Sequence, residues 1–209
     1  MRVTAETKAA TRQRILESAR DLFAADGFST STTRDIADAA GIATGTLFNY
    51  FPTKEAILAS LAAEAIAGVA GDFGAGNAET LEEELFAFVM AGLRKLKPLR
   101  KHLSVLLETT LNPLVTTDGD DVYSLRASHL ETVARLAKNH GLGELPPVEL
   151  QLYWTLYTGV LRFWAQDRSR KQEDTLALLD HSMAMYTGWL KKESDSAART
   201  KGDDPCPRP

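Results

Sequence analysis

Cysteine is almost absent from this sequence of 209 residues, and the single example, Cys206, lies in a polar tail that contains prolines. One cysteine can form no internal disulfide and no cysteine-based metal cluster. Long hydrophobic runs are also missing, because no stretch approaches the roughly 18 apolar residues that cross a bilayer. The first residues lack the apolar segment of a secretory signal. We therefore expect a cytoplasmic protein with no membrane partner.

An excess of positive charge is missing as well. The formal net charge is −4, which argues against a protein that coats nucleic acid by bulk electrostatics. Residues 1–58 carry seven basic and seven acidic side chains, a net charge of zero. Any binding to nucleic acid must therefore depend on where individual side chains are placed.

Catalytic and metal-binding motifs are lacking too. The sequence has no GxSxG, HExxH or GxxxxGK motif, and its four histidines show no metal-ligand spacing. The segment DGDD at 118–121 resembles the start of a calcium loop, but its twelfth position is His129 and its central glycine is missing. A carboxylate cluster at a helix start explains it better. We expect no enzyme, no metal site and no cofactor.

Helical periodicity dominates what is present, and nothing combines two-residue alternation with hairpin turns, so the predicted fold class is all-α. Gly27 offers a left-handed end to the first helix, and Thr32 with Asp35 has the spacing of a capping box for a short second helix. Pro52 ends a short third helix, and Thr53 caps a fourth. Three helices, of which the second and third are short, therefore open the chain.

The remaining helices are separated by equally local signals. Thr80 with Glu83 forms a second capping box, and Gly141 is a further helix stop. The glycine-rich residues 71–77 are interpreted as a linker turn. The later helices are predicted at about 80–95, 98–111, 122–139, 147–167 and 175–192.

Residues 32–51 fit two short helices joined by a tight turn, the unit that can place its second helix in a major groove about 12 Å wide. Apolar residues fall where these two helices would pack together: Ile36, Ala37, Ala40, Ile42 and Leu47. Small, polar and aromatic residues fall on other faces: Thr44, Thr46, Phe48 and Asn49. Such side chains can bind base edges or contact a thymine methyl group, and Gly45 lets the backbone come close to the groove.

The segment TTRDIADAAGIATGTLFNYFPTKEAIL resembles the DNA-binding part of the TetR family of bacterial regulators, and with the upstream ILESARDLFAADGF the resemblance covers about residues 10–58. It implies base-reading positions at Thr44, Gly45, Thr46 and Phe48. It implies backbone-contacting positions at Thr33, Arg34, Tyr50 and Lys54.

The sequence departs from the family pattern at two positions. Ala43 stands where the family usually has a serine that caps the second helix of the unit, and this costs about 1 kcal/mol of helix stability. Phe48 replaces the more common tyrosine and so removes one hydroxyl that could contact a phosphate.

A helical bundle that never touches DNA can also contain such a pattern. Phe48, Tyr50 and Phe51 could then be core aromatics, and for Phe51 we favour the core. A helical module that binds a partner protein is a further alternative. The ordered match along residues 10–58 favours DNA.

The last two helices carry apolar residues around nearly their whole circumference, which implies a second buried face. We expect this face to form a homodimer, and the alternative is packing inside one subunit. The candidate interface residues are Thr155, Gly159, Trp164, Met183, Tyr186 and Trp189. A two-fold dimer would hold two reading helices about 34 Å apart, matching a palindromic operator in double-stranded DNA.

The resemblance also implies a six-helix C-terminal domain around a cavity for a small-molecule effector. Periodicity assigns its lining to Phe86, Met90, Leu103, Leu107, Tyr123, Arg126, His129, Trp154 and Tyr157, although core packing is the commoner role of such aromatic residues. Such a lining suits a small, partly hydrophobic ligand.

The predicted domains are the helix-turn-helix domain at 8–54, the effector and dimerisation domain at 55–192 and a disordered tail at 193–209. The predicted function is a repressor that the effector releases from its operator.

Overall fold

The computed structural model describes residues 4–73, 78–109 and 120–202. Within these ranges the chain forms helices and no strand, which confirms the predicted all-α fold class. The α-helices are α1 Ala5–Ala25, α2 Thr33–Ala39, α3 Thr44–Phe48, α4 Lys54–Ala67, α5 Leu81–Leu96, α6 Leu103–Thr109, α7 Asp120–Asn139, α8 Pro147–Gln166 and α9 Glu173–Gly202. Short 3-10 helices occupy Ala70–Asp72, Lys97–His102 and Arg170–Gln172. The first half of the DGDD segment at 118–121 lies outside the described residues.

The predicted capping and stop signals have the expected geometry. Gly27 has a φ of 90°, and the hydroxyl of Thr53 accepts a hydrogen bond from the backbone N–H of Ala56 at 3.1 Å. Thr80 and Glu83 form a reciprocal pair, in which each backbone N–H donates to the other side chain at 3.2 Å. These predictions are confirmed. They could be made from the sequence because a cap depends only on residues within about one helical turn.

The chain divides into two compact units, one from Met1–Gly68 with Lys95–Arg126 and the other from Val69–Arg94 with Ala127–Pro209. The first unit includes α4 and α6 as well as α1 to α3, so it is larger than the predicted domain at 8–54. The functional division of the chain stays a prediction.

The core of the first unit is built by one face of α1 against α2, α3 and α4. Ile15 and Leu16 are fully buried, as are Ile36 of α2, Leu47 of α3 and Ile57 of α4. Fully burying an aliphatic side chain contributes about 1.5–3 kcal/mol. This packing leaves the opposite faces of α2 and α3 open to solvent.

The second unit has a core rich in aromatic residues from α5, α7, α8 and α9. Tyr153 and Tyr186 are almost fully buried and their rings lie 5.6 Å apart. Between α5 and α7, the buried carboxylate of Glu84 lies 2.7 Å from Nε2 of His140. The guanidinium of Arg135 donates to the backbone carbonyls of two residues near the first 3-10 helix, at 2.8 and 3.0 Å.

A set of polar contacts, here named the α8–α9 lock, fixes the turn between these two helices. Lys171 and Gln172 have φ values of 56° and 62°, a left-handed conformation that costs a non-glycine residue about 1–2 kcal/mol. The indole N–H of Trp164 donates to the side-chain carbonyl of Gln172 at 2.7 Å. The carboxylate of Asp167 accepts hydrogen bonds from the backbone N–H and the hydroxyl of Thr175.

The last helix is longer than predicted. We placed its end at about Lys192, whereas α9 continues to Gly202 and so includes the first part of the segment assigned to a disordered tail. Residues 193–202 contain no proline, and Pro205 is the first residue after Lys192 that is incompatible with a helix interior. Polar composition alone therefore placed the helix end too early.

Candidate nucleic-acid interface

The start of α2 is shaped by the predicted capping box. The hydroxyl of Thr32 accepts from the backbone N–H of Asp35 at 3.2 Å, and the carboxylate of Asp35 accepts from the backbone N–H of Thr32 at 2.8 Å. Hydrogen bonds from Thr32 lower the pKa of Asp35 against a smaller opposing effect of burial, and the charge of Arg34 makes the smallest contribution to the lowering. The box leaves Arg34 exposed and Thr33 partly exposed in the first helical turn, where side chains and backbone N–H groups can reach a phosphate.

The turn between α2 and α3 is a Schellman motif. The N–H of Ile42 donates to the carbonyl of Ala37 at 3.0 Å, and the N–H of Gly41 donates to the carbonyl of Asp38 at 3.1 Å. Gly41 has a φ of 66°, which glycine adopts without steric cost. The turn directs α3 away from α2 and fixes which face of α3 meets the core.

Residues 44–50, which form α3 and the turn directly after it, present different faces to the core and to solvent. Leu47 is fully buried, while Gly45 and Asn49 are exposed and Phe48 is 48% exposed. Partial exposure is found at Thr44, Thr46 and Tyr50. All the predicted base-reading positions therefore have some solvent access.

The two predicted departures from the family pattern have clear structural outcomes. No side chain caps α3 at Ala43, as predicted. Phe48 projects into solvent, whereas Phe51 is 3% exposed and lies in the core, with the guanidinium of Arg12 5.3 Å from its ring centre. The prediction that Phe51 lies in the core is confirmed. Phe48 is exposed, so it is not a core aromatic residue.

Lys54 has a structural role that the sequence did not reveal. Its ammonium donates to the backbone carbonyls of Phe28 at 2.5 Å and Ser31 at 2.8 Å, and it lies 4.3 Å from the ring centre of Phe28. These contacts connect α4 to the loop that precedes α2. An ammonium has three N–H donors, so one donor remains for the phosphate contact that stays a prediction.

Comparison with known proteins agrees with this geometry. The family model for bacterial regulatory proteins of the tetR family matches residues 15–61 of the sequence. This range contains α2 and α3. The HTH-type transcriptional repressor AcnR of Corynebacterium efficiens is 31% identical over 148 residues, which cover 68% of this chain and 74% of that protein. This chain belongs to the TetR family. The HTH-type transcriptional repressor KstR2 of Rhodococcus jostii is 29% identical over 169 residues, 79% of this chain and 71% of the relative.

Solved structures share the fold of this TetR-family regulator. FadR of Thermus thermophilus, a TetR-family repressor solved in complex with lauroyl-CoA, is 23% identical with a TM-score of 0.63 and covers 84% of this chain and 93% of its own. A TetR regulator from Rhodococcus sp. RHA1 is 17% identical with a TM-score of 0.67 and covers 86% of this chain and 96% of its own.

The predicted effector residues of this TetR-family chain are divided between its two units. Phe86, Met90, His129, Trp154 and Tyr157 belong to the second unit, whereas Leu103, Leu107 and Arg126 belong to the first. Tyr123 belongs to the first unit as well, and its side chain lies outside the described part of the structure.

Three of these residues meet in one aromatic cluster. The ring of His129 lies 4.3 Å from that of Tyr157 and 5.8 Å from that of Trp154. Phe88 and Tyr153, which were not predicted, complete the cluster at 4.7 and 5.7 Å from His129. Phe88 lies two residues before the predicted Met90, and Tyr153 lies directly before the predicted Trp154. Only their angular positions around α5 and α8 could have identified them from the sequence.

The aromatic cluster keeps its histidine neutral. Desolvation lowers the pKa of His129 to about 3. Desolvation also raises the pKa of Tyr153 well above its usual value, and the pKa of Tyr157 is raised for the same reason. The cluster therefore offers hydrogen-bonding groups without charge.

The predicted interface residues fall into two groups. Thr155 and Gly159 are exposed on α8, and Trp189 is partly exposed on α9. Trp164, Met183 and Tyr186 are at most 2% exposed within the single chain. For these three the expectation of an interface role is wrong, because side chains already covered inside the protomer have no further area to bury against a partner.

Three large exposed apolar residues of α8 and α9 were missed, and one of them, Val148, lies at the start of α8. Phe163 is 42% exposed and lies four residues after Gly159, while Met185 is 61% exposed on α9. The four-residue spacing from Gly159, a predicted interface residue, was the sequence signal for Phe163.

Among the described residues, no helix has the length and hydropathy needed to span a membrane, and no cluster of three potential metal ligands occurs.

Proposed function

We propose that this TetR-family chain is a transcriptional repressor that binds a palindromic operator as a homodimer and is released by a small, partly hydrophobic effector. The helix-turn-helix domain at 8–54 would read DNA, and residues 55–192 would bind the effector and dimerise. The proposal assigns the chain to the cytoplasm and gives it no catalytic activity and no cofactor.

The observation that carries the proposal is the exposed face of α3. Gly45, Phe48 and Asn49 face solvent on a helix whose other side is anchored by the buried Leu47. In a fold of this kind such a face lies in the major groove. Thr33, Arg34 and Lys54 would contact the phosphate backbone with Tyr50, while Thr44 and Thr46 border the reading face.

The homodimer is supported by a stripe of exposed small and apolar residues, here named the dimer stripe. On α8 it contains Thr155, Gly159 and Phe163, and on α9 it contains Ala177, Ala184 and Met185, together with the partly exposed Gly188 and Trp189. Large exposed apolar side chains mark protein interfaces, and small residues let helices approach closely. A two-fold dimer formed through this stripe would carry two copies of α3, one for each half of a palindromic operator.

The effector site is proposed around the aromatic cluster of His129, Trp154 and Tyr157, with Phe86 and Met90 on the same unit. Uncharged hydrogen-bonding groups among aromatic rings suit a ligand that is mostly apolar with one neutral polar group. FadR of T. thermophilus was solved with lauroyl-CoA, whose apolar lauroyl chain and neutral thioester match this lining although its anionic CoA group does not, so lauroyl-CoA is the first effector to try. Ligand and operator would favour different subunit arrangements, so each would weaken binding of the other.

The first experiment selects DNA fragments from a random pool with the purified protein and then measures binding to the enriched fragment by fluorescence anisotropy as salt is varied. A palindromic consensus and a steep decrease in affinity with salt are expected. Thr46→Ala, Tyr50→Ala and Arg34→Ala should weaken binding. Arg94→Ala removes the same charge from an exposed position on α5 and should have no effect.

Two outcomes would overturn the proposal. One is failure to enrich any sequence even at about 50 mM salt, where phosphate contacts are strongest. The other is equal weakening by Arg34→Ala and Arg94→Ala, since this would reflect total charge instead of a defined DNA-binding face.

A further inference from the structure

The reading face of α3 has a definite centre. Because successive residues of an α-helix are about 100° apart, Gly45 and Asn49 lie on the side opposite the buried Leu47, with Thr46 and Phe48 on their two flanks. The observed burial agrees, since Gly45, Phe48 and Asn49 are exposed and Thr46 is partly exposed. Asn49 is therefore the longest hydrogen-bonding side chain at the centre of the face.

No basic residue lies on this face or near it along the chain. Residues 35–53 contain neither lysine nor arginine, so Arg34 and Lys54 are the nearest basic residues on either side. Arg34 is exposed at the start of α2, and the ammonium of Lys54 already binds two backbone carbonyls. The usual bidentate donors to guanine are arginine and lysine, and α3 has neither.

The side chains that α3 does present match A·T base pairs. The carboxamide of asparagine binds N6 and N7 of adenine, and apolar groups such as phenylalanine rings and threonine methyls contact the C5-methyl group of thymine. Resting on the proposed function, we infer that α3 reads A·T base pairs, with Asn49 binding an adenine and Phe48 and Thr46 contacting thymine methyl groups.

Gly45 adds independent support for close approach by the base pairs. A Cβ built on Gly45 meets nothing within 4 Å, and its backbone is not in the left-handed region. The protomer therefore does not require glycine there, although glycine within a helix is less favourable than alanine by about 1 kcal/mol. The missing side chain leaves room beside Asn49 for a base edge.

The test compares DNA selection by the wild type, Asn49→Ala, Asn49→Arg and Phe48→Ala, with Arg94→Ala, at an exposed position on α5, as the control. The wild-type base pair whose preference is lost in Asn49→Ala identifies the position that Asn49 reads. We expect that pair to be A·T, with discrimination falling roughly 5- to 150-fold. Asn49→Arg should change the preferred base there from adenine to guanine. Asn49 and Phe48 are exposed, so thermal unfolding of their variants should match that of the wild type.

A second measurement tests the methyl contacts. Replacing operator thymines one at a time with deoxyuridine removes only the C5-methyl group. At one thymine or more this replacement should weaken binding of the wild type and have no effect on Phe48→Ala.

The inference is overturned if Asn49→Ala changes no position, if the position it changes is G·C in the wild-type consensus, or if deoxyuridine affects wild type and Phe48→Ala equally. These outcomes require DNA that binds. Absence of any enriched DNA would instead contradict the proposed function, so the two failures are distinguishable.

Discussion

His129 and Tyr153 are joined by a hydrogen bond of 3.0 Å between the imidazole Nε2 and the phenolic oxygen. Phe88 and Tyr157 lie against the same imidazole, with ring centres 4.7 and 4.3 Å away. The bond gives the buried tyrosine a partner, while the surrounding rings cover much of the imidazole and leave His129 only partly exposed. A proton added to His129 would be poorly solvated, and this is the physical cause of its lowered pKa.

Acid should therefore destabilise the protein through His129. Its pKa is about 3 in the folded chain and about 6.5 when unfolded, so only the unfolded chain binds a proton between these values. Stability is then present above about pH 6.5 and decreases as the pH falls toward 3, by up to about 1.4 kcal/mol per pH unit.

Urea unfolding at about pH 7 and pH 5 measures this effect as a loss of roughly 2 kcal/mol for the wild type. His129→Gln keeps a hydrogen-bonding side chain without a titrating group, so its loss should be smaller by most of that amount. His181→Gln, at an exposed histidine of α9, should behave as the wild type does. An equal acid response in wild type and His129→Gln would contradict the prediction.

A side-chain cap at the start of α3 should stabilise the protein. Ala43→Ser supplies a hydroxyl at the N-cap and should raise the free energy of unfolding by about 1 kcal/mol, because an N-cap hydroxyl accepts a hydrogen bond from a backbone N–H of the first helical turn. Thr53→Ala removes an existing cap from α4 and should lower it by a similar amount. Thermal unfolding of both variants checks the pair, and a change of the same sign in both would refute the capping explanation.

Lys54 should matter for stability even without DNA. Lys54→Met keeps the aliphatic stem but removes the ammonium that binds the carbonyls of Phe28 and Ser31. The expected loss is about 1–3 kcal/mol, since two backbone acceptors lose a charged donor. Urea unfolding measures it, with Lys95→Met at an exposed position as the control. If both variants are as stable as the wild type, the ammonium only contributes surface charge.

Alanine in place of either glycine of the dimer stripe should weaken the homodimer. A Cβ added to Gly159 or Gly188 meets nothing within 4 Å in the protomer, so alanine at either site is compatible with folding. In a closely packed dimer the same Cβ would separate the helices, and the dimer dissociation constant should rise about 10-fold or more, equivalent to about 1.4 kcal/mol.

Analytical ultracentrifugation measures this dissociation constant for Gly159→Ala and Gly188→Ala. Gly92→Ala is the matched control, because Gly92 is also within a helix and also has space for a Cβ, but lies on α5 outside the stripe. An unchanged dissociation constant in both stripe variants would place the dimer contact elsewhere.

Local features of the fold were predictable from the sequence. The capping box of Thr32 and Asp35, the stop at Gly141 and the uncapped Ala43 depend on side chains within one or two turns of the helix end. The burial of Leu47 beside the exposed Asn49 also follows from helical spacing. These signals are complete within short segments of sequence.

Features that depend on distant parts of the chain were harder to predict. Trp164 and Tyr186 have the size and polarity of interface residues, but polar partners within the protomer, Gln172 and the backbone carbonyl of Glu149, hold them in the core. Periodicity shows that a helix has a second apolar face and does not say whether a neighbouring helix or another molecule covers it. The structural role of Lys54 was equally hidden.

The α8–α9 lock has a consequence for assembly. Trp164 and Gln172 hold the turn by a directional hydrogen bond, and the left-handed Lys171 has little freedom to rotate away. The angle between α8 and α9 is thus set within each protomer before a second copy arrives. Association through these helices would then be a docking of preorganised surfaces, with little loss of conformational entropy on binding.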